Sequence, residues 1–312
     1  MKKICLLAIA GLFVVSIVHA TVIREKFATD PALDGWQVFG DTNLFQWDSS
    51  NHVLDVTWDS TQPTNSYYYL PLDRTYTMAD SFYVQFDLQL SDAVAVNSGA
   101  PLAIGLLHFS DATNSGFSRG DVTATNVCEF DYYPAYVYAE QPYPASVDAT
   151  LIDASGNYNF AYDNLTMNPG VTYRVVLIHQ AGAGTISGEI FTNGQPVSWL
   201  PFTYGSDGDF QVDTLSINNY SDDGYDSILA HGTVGNLAFA SPLPVGLISA
   251  PAAGQVQFLS DTNWLYTAEQ STNLVCWTPA APALSGNGTN LLLQATNLPV
   301  DHAFYRVRAD LP

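Results

Sequence analysis

The sequence predicts an all-β protein in which a two-sheet β-sandwich is followed by a small C-terminal β domain. Residues 81–90 alternate between two sets of side chains with a period of two, as residues 172–178 do more loosely, and this period is typical of strands. Asn193-Gly194, between two further strand-like segments, predicts a tight hairpin. Turn residues recur at intervals of about eight to twelve, and no convincing helix follows residue 20, so many short strands in two packed sheets are expected.

The amino-terminal segment, residues 1–20, has the form of a secretory signal peptide. Two lysines follow Met1, an apolar stretch runs through Val18, and the segment closes on the small residue Ala20. The mature chain is therefore expected to begin near Thr21 and to be secreted, periplasmic or attached to the cell surface. The apolar stretch is shorter than the roughly twenty residues that a membrane-spanning helix needs, so no membrane span is expected.

The charge balance is strongly acidic. Without residues 1–20 the chain keeps 7 basic and 30 acidic residues, a formal charge of −23. Nucleic-acid binding depends on lysines and arginines that neutralise phosphates, so this balance argues against nucleic acid as a partner. Only Cys128 and Cys276 remain in the mature chain, which implies no disulfide framework, and Cys128 is expected to be a buried apolar residue.

A proline-rich tract separates two parts of the chain. Residues 241–251 contain three prolines and lack alternation, which is typical of a linker. The predicted order is a signal peptide (1–20), a sandwich domain (21–241), a linker (242–251) and a C-terminal β module (252–312). So small a module buries a limited core, and it is expected to be marginal unless it docks on its neighbour.

The segment most informative about function is residues 126–143, which reads as a strand followed by an aromatic tract. Side chains of a strand alternate between its two faces, so one face of this strand is core-like and the other is cleft-like. The expected core-facing side chains are Cys128, Phe130 and Tyr132, and the expected cleft-facing side chains are Glu129, Asp131 and Tyr133.

The Glu129-x-Asp131 pair resembles the active-site strand of laminarinase-type glucanases in the concanavalin A-like lectin/glucanase superfamily, which carry Glu-x-Asp-x-Glu or Glu-x-Asp-x-x-Glu. Here Tyr133 and Pro134 stand where the second glutamate would be. A retaining glycosidase needs two carboxyl groups about 5 to 5.5 Å apart, and a phenol with a pKa of about 10 is a poor substitute for the acid. We therefore expect a non-catalytic, lectin-like protein that binds a polysaccharide or a cell-surface glycan.

Two alternatives stay open on the sequence alone. A glycoside hydrolase or lyase of the same fold would use Glu129 as its nucleophile and draw its acid from elsewhere, with Glu140 and Glu189 as candidates. An extracellular structural or interaction protein with no small ligand would show the same composition.

The resemblance to this superfamily extends over residues 22–241 and implies a jelly-roll sandwich. Residues 27–58 are similar to the first strands of its members, and residues 215–239 are similar to the last two strands. Residues 266–277 and 304–307 resemble a short C-terminal module found on many secreted proteins of environmental bacteria, and that resemblance implies no activity.

Tyrosines dominate the tract after the strand, and a second tyrosine run lies at residues 67–69. A tyrosine ring offers an apolar face on which a sugar can stack and a polar tip for its hydroxyl groups. The same residues would also suit the edge of a β-sandwich, where tyrosine is common. The residues predicted to bind the ligand are Glu129, Asp131, Tyr133, Tyr136 and Tyr138.

Calcium is the one cofactor that the sequence suggests. Asp222, Asp223 and Asp226 surround a glycine, as the acids of residues 206–209 do, and calcium loops favour this composition. Jelly-roll carbohydrate modules often carry a structural calcium ion, so the resemblance adds support, although acidic turns are also common in an acidic protein. The histidines and cysteines lack the spacing of a zinc site.

Residues 116–120 match Gly-x-Ser-x-Gly, the pattern of the esterase nucleophile elbow. That elbow needs a strand before its serine and a helix after it. Turn-like residues precede Ser118, and residues 121–123 continue as loop or strand, so a glycine-rich loop is expected here.

Overall fold

The computed structural model describes residues 21–96, 101–119, 123–182, 185–200, 208–222, 228–241, 249–262, 264–273, 277–296 and 303–310. The predicted signal peptide lies outside the described residues. In the described part the all-β prediction is confirmed, and helical structure is limited to α1 (Phe109–Ala112) and to 3-10 turns at Pro31–Asp34 and Thr42–Leu44. The strands up to residue 241 are β1 (Thr21–Glu25), β2 (Gln37–Phe39), β3 (Phe45–Asp48), β4 (Val53–Asp59), β5 (Ser66–Thr77), β6 (Phe82–Ala95), β7 (Leu102–Leu107), β8 (Val127–Tyr133), β9 (Tyr136–Tyr138), β10 (Gln141–Tyr143), β11 (Ser146–Ile152), β12 (Tyr158–Asp163), β13 (Thr172–His179), β14 (Ile186–Thr192), β15 (Gln195–Leu200), β16 (Gln211–Asn219) and β17 (Ile228–Ser241).

These strands form two antiparallel sheets and one short hairpin, as a two-sheet sandwich requires. Sheet A has the order β15-β14-β13-β6-β17-β4-β3, and β1 pairs with the end of β17. Sheet B has the order β12-β11-β8-β7-β16-β5-β2. Neighbouring strands in both sheets are often far apart in sequence, so the chain crosses repeatedly between the sheets. The hairpin β9-β10 lies beyond the end of β8.

Local sequence signals explain two strands and one hairpin. Residues 82–90 of the alternating segment lie in β6, and residues 172–178 lie in β13. Asn193 and Gly194 join β14 to β15 with φ angles of 50° and 73°. Positive φ at both central residues is what a tight hairpin turn of this hand requires, and asparagine followed by glycine adopts it most easily.

The main core lies between the two sheets. The rings of Phe86, from sheet A, and Phe130, from sheet B, meet edge to face with their centroids 5.7 Å apart. Cys128, Phe130 and Tyr132 all point into this core, as the alternation of β8 predicts. Cys128 is buried as expected, whereas Cys276 lies outside the described residues.

A C-terminal unit of short strands packs on the outer face of sheet A. Tyr83 and Ala240 of sheet A share one apolar cluster with Trp264 and Tyr266 of this unit, and the rings of Tyr83 and Trp264 lie 5.3 Å apart. The predicted linker falls mostly outside the described residues, so the domain boundaries stay predictions. The strands of the unit are β18 (Gln255–Leu259), β19 (Leu265–Ser271), β20 (Thr278–Pro279), β21 (Leu284–Ser285), β22 (Asn290–Gln294) and β23 (Phe304–Asp310).

Among the described residues, no helix has the length and apolar character needed to cross a bilayer.

Candidate functional site

The outer face of sheet B, opposite the core, carries the acidic pair singled out in the sequence. On β8, Glu129 lies between Gly105 of β7 and Thr150 of β11. Asp131 lies one step along the same face, opposite Asp148 of β11. A side chain at position 105 would overlap the backbone of β8, so glycine is needed for the close approach of these two strands.

Residues 108–119 and 123–126, which we call the covering segment, cover the centre of this face. The hydroxyl of Tyr67 donates to the carbonyl oxygen of Ala112 over 2.9 Å and fixes α1 to the sheet. The Phe117 ring lies 6.1 Å from that of Tyr220. Apolar side chains of the segment and of the strands beneath it thus form a small second core, whose buried members are Tyr67, Ala103, Leu107, Ala112, Phe117, Ala124, Val127, Ile152 and Tyr220.

Arg119 is buried under this cover and clamps the acidic pair. Its Nε lies 2.5 Å from Oε1 of Glu129, and one terminal nitrogen lies 2.6 Å from Oδ2 of Asp131. The Arg119 side chain is 2% exposed and both carboxylates are 0% exposed. The guanidinium carbon also lies 5.1 Å from the centre of the Tyr158 ring, a cation–π contact.

Further hydrogen bonds occupy the remaining oxygen of Glu129 and add to those of Asp131. Oε2 of Glu129 accepts from the Asn218 amide over 2.9 Å and from the Tyr220 hydroxyl over 2.7 Å. Oδ2 of Asp131 accepts from the Thr150 hydroxyl over 2.6 Å, while Oδ1 has no partner. Both oxygens of Glu129 therefore accept hydrogen bonds, whereas the buried Oδ1 of Asp131 accepts none.

Burial and the neighbouring charges shift the protonation of this cluster. Burial raises the pKa of Asp131 well above its usual range, although the positive charge of Arg119 acts in the opposite direction. Burial alone would lower the pKa of Arg119, but Asp131 and Glu129 raise it well above its usual value. Arg119 therefore stays charged, and it forms ion pairs with both acids.

The expectation that Glu129 and Asp131 face an open cleft is wrong. Their orientation away from the main core is as predicted, but the covering segment removes both from solvent. The physical reason is the presence of Arg119, because two carboxylates are buried at tolerable cost only when a cation and hydrogen-bond donors meet them. A role of these two acids in ligand binding stays a prediction.

Sequence reasoning missed Arg119. It belongs to the Gly-x-Ser-x-Gly pattern, whose residues 116–119 lie in the loop after α1, while Gly120 lies outside the described residues. No strand leads directly into Ser118, as the nucleophile elbow requires, because α1 and a turn lie between β7 and this serine. The available signal was a lone arginine ten residues before an acidic pair in a chain that has few basic residues.

Beyond the covered centre, the same face of sheet B opens into a pocket of about 200 Å³. Tyr143 and Tyr162 are 43% and 63% exposed, respectively, so aromatic rings stand in solvent here. Among the described residues, the lining contains no charged side chain. We call it the tyrosine pocket, and its lining residues are Tyr133, Tyr136, Tyr143, Pro144, Ser146, Tyr162 and Asn164.

The hairpin β9-β10 builds one wall of the tyrosine pocket. Tyr136 and Tyr143 are register partners, and their rings stack with centroids 4.8 Å apart and planes inclined by 2°. Ala139 and Glu140 form the turn with φ angles of 48° and 68°. Two parallel rings held by a paired hairpin make a wall that is set before any ligand arrives.

The structure therefore brings together only part of the predicted site. Tyr133 and Tyr136 lie in the tyrosine pocket, whereas the side chain of Tyr138 lies outside the described part of the chain. Tyr162, on β12, was missed, because only the pairing of β12 with β11 carries it to the pocket. Tyr143 belonged to the aromatic tract but was not among the predicted ligand residues.

Asp148 lies on the same face, next to the pocket, and was also missed. It is the register partner of Tyr162 on one side and of Asp131 on the other, and it follows Ser146 of the lining by one step on this face. Its side chain is largely buried, and Oδ1 has no hydrogen-bond partner. Burial raises the pKa of Asp148 to about 7, against the opposing effect of Arg119.

The candidate acids of the glycosidase alternative do not join Glu129. Glu140 lies in the turn between β9 and β10. Glu189 lies on β14 of sheet A, where Arg306 and Glu269 of the C-terminal unit influence it. The two-carboxylate arrangement that a retaining glycosidase needs is thus not formed by these residues.

The calcium prediction rests mostly on residues outside the described part. Asp223 and Asp226 lie there, as does Asp207, while Oδ2 of Asp222 accepts from the Ser60 hydroxyl over 2.7 Å. Within the described ranges, no group of three or more histidine, cysteine or acidic side chains is arranged to hold a metal ion. Calcium binding stays a prediction.

Comparison with known proteins gives structural likenesses only. No protein-family model matches the chain, and no curated protein matches it. Peanut lectin with a bound nine-residue peptide is 12% identical, with 70% of this chain and 99% of the lectin covered and a TM-score of 0.43. Lectin II from Ulex europaeus is 16% identical, with 73% and 100% covered and a TM-score of 0.45.

A third similar structure is the carbohydrate recognition domain of Emp46p in its metal-free form. It is 15% identical, covers 66% of this chain and 91% of its own, and has a TM-score of 0.36. At such identities and TM-scores, none of the three assigns a ligand or an activity to this chain.

Proposed function

We propose that this protein binds carbohydrate without cleaving it, and that the tyrosine pocket is the binding site. The observation that carries the proposal is an open pocket lined by four tyrosines together with Ser146 and Asn164. Residues 1–20, read as a signal peptide, would export the chain to a place where polysaccharides and cell-surface glycans occur.

The lining can make both kinds of contact that a sugar needs, namely ring stacking and hydrogen bonding. A pyranose ring presents C–H groups that pack on an aromatic face, and the exposed rings of Tyr143 and Tyr162 provide such faces. Hydroxyl groups of the sugar need polar partners, which the phenol groups, Ser146 and Asn164 supply. The pocket volume of about 200 Å³ lies below the roughly 300–1,000 Å³ of sites that enclose whole drug-sized ligands, so it suits one ring of a longer chain.

The state of Glu129 supports binding over hydrolysis. A nucleophilic carboxylate must reach the sugar, whereas both oxygens of Glu129 are bonded to Arg119, Asn218 and Tyr220 beneath a covering segment. The second glutamate of the glucanase strand is replaced by Tyr133 or Pro134.

The test is retention of residues 21–312 on a panel of insoluble polysaccharides, with Ca²⁺ and with a chelator, and with reducing ends assayed in the same wells. Replacing Tyr143 or Tyr162 with alanine is expected to weaken retention about tenfold, which corresponds to about 1.4 kcal/mol. Trp199→Ala is the matched control, because that ring is similarly exposed, at 57%, but lies on sheet A.

Two results would count against the proposal. Release of reducing ends by the wild-type protein would show catalysis. Equal retention of the folded Tyr143→Ala and Tyr162→Ala proteins would show that the glycan binds elsewhere. A loss of retention on chelation would support the calcium prediction.

A further inference from the structure

The described residues that line the tyrosine pocket offer no positive charge to a ligand. Its lining consists of tyrosines, a proline, a serine and an asparagine. The cation that acts on Tyr133 and Asp148 is Arg119, which is buried and already bridges two carboxylates at 2.5 and 2.6 Å. An anionic ligand in the pocket would therefore find no guanidinium or ammonium group free to meet it.

A carboxyl group lies beside the pocket instead. Asp148 neighbours Tyr162 on β12, and Asp131 faces it from β8. Four other titratable groups interact with these two acids or with their neighbours, namely Glu129 and Tyr133 of β8, Tyr158 of β12 and Arg119 of the covering segment. The positive charge of Arg119 opposes the effect of burial on Asp148, whose Oδ1 accepts no hydrogen bond.

We propose that the tyrosine pocket selects uncharged sugar residues and rejects uronate and sulfated ones, and that Asp148 is the residue that makes this selection. The inference rests on the proposed function of the pocket. A sugar carboxylate or sulfate bound among the lining residues would approach Asp148, which is the register partner of Tyr162 and is 7% exposed. Like charges repel more strongly at such a largely buried site than in water. The formal charge of −23 on residues 21–312 adds a weaker repulsion that salt screens.

The protonation of Asp148 makes the selection depend on pH. With a pKa of about 7, Asp148 is ionised at pH 8 and protonated at pH 5. A sugar carboxylate remains ionised at both values, since carboxyl groups in water titrate near pH 4. Rejection of an anionic glycan should therefore be stronger at pH 8 than at pH 5.

The experiment compares each neutral polysaccharide of the panel with its own carboxymethylated derivative, at low ionic strength. For the wild-type protein at pH 8, the derivative is expected to bind at least tenfold more weakly than the parent. The ratio of the affinity for the parent to the affinity for the derivative should shrink severalfold at pH 5. Asp148→Asn should shrink it by a similar factor at pH 8.

Asp92→Asn is the matched control, because it removes one negative charge from the protein but lies on sheet A, exposed and paired with His231. It should leave the ratio unchanged. Circular dichroism and the denaturation midpoint of each variant establish that both are folded.

The outcomes separate this inference from the proposed function. If the protein is retained on none of the neutral polysaccharides, both the proposed function and this inference are wrong. Equal or tighter binding of the carboxymethylated derivatives would overturn the inference alone. An unchanged ratio in the folded Asp148→Asn protein would overturn the selecting role of Asp148.

Discussion

The outer face of sheet B is closed at its centre and open at one end, although a single strand, β8, runs through both regions. At the centre, Glu129 and Asp131 are sealed with Arg119 under a covering segment. At the end, Tyr133 reaches the open tyrosine pocket. Strand alternation thus sets the direction of each side chain on β8, while a separate covering segment decides which of these side chains is open to solvent.

The largest expected effect concerns the closed centre, through Arg119→Ala. Removing the cation leaves two buried carboxylates unpaired, and breaking a buried ion pair in this way costs about 3–5 kcal/mol of unfolding free energy. Urea denaturation at pH 7 measures it. Arg74→Ala is the control, because the Arg74–Asp80 pair is exposed and is worth about 0–1 kcal/mol. A loss below about 1 kcal/mol for the first variant would show that the clamp does not stabilise the fold.

The second effect concerns the boundary between the two regions, at Asp148. The folded state holds this proton up to a pKa of about 7, whereas the unfolded chain releases it near 3.8. Folding therefore takes up a proton between these values, so the Asp148 contribution lowers the free energy of unfolding as pH rises from about 4 to about 7.

The Asp148→Asn variant should lack this decline and be more stable than the wild type at pH 8 by about 2–4 kcal/mol. Urea denaturation at several pH values between 4 and 8 measures the difference. Parallel pH profiles for the two proteins would contradict the expectation.

A smaller effect is expected from Tyr220→Phe at the closed centre. The variant removes one hydroxyl that donates to Glu129 over 2.7 Å, and a hydrogen bond to a charged group is worth about 1.5–3 kcal/mol. Tyr69→Phe removes a hydroxyl that donates to Gln37 at an exposed site, and it should cost less than about 0.5 kcal/mol. Equal denaturation midpoints for these two variants would argue against the closed centre as a rigid unit.

The smallest effect on stability is expected at the open end. Tyr162→Ala removes a ring that is largely in solvent, so the unfolding free energy should change by less than about 0.5 kcal/mol. The same variant should show the loss of glycan retention described above. A large loss of stability would mean that Tyr162 packs the sandwich edge, which is the structural reading of the tyrosine tract.

The parts of the fold that the sequence predicts well are those with local causes. The alternation of β8 identifies the core side chains Cys128, Phe130 and Tyr132, because a period of two needs no knowledge of the neighbouring strands. Asn193-Gly194 predicts its hairpin for the same reason, since the turn conformation is a property of these two residues.

The parts that the sequence did not reveal depend on contacts between distant segments. Whether Glu129 is open or closed depends on Arg119 folding back over β8, and no local pattern encodes that return. Tyr162 reaches the tyrosine pocket, and Asp148 lies beside it, because β11 lies between β8 and β12, an order that sequence spacing does not specify. Tyr133 and Tyr136 of the candidate site were therefore predictable from the tyrosine tract, whereas its acidic neighbour Asp148 was not.

The docking of the C-terminal unit on sheet A gives the molecule two sides. Tyr83 and Trp264 meet on one side of the sandwich, and the tyrosine pocket opens from sheet B on the other. A fluorescent protein or an affinity resin joined after β23 would therefore be held on the side turned away from the tyrosine pocket. Immobilising the chain in this way would leave the pocket accessible.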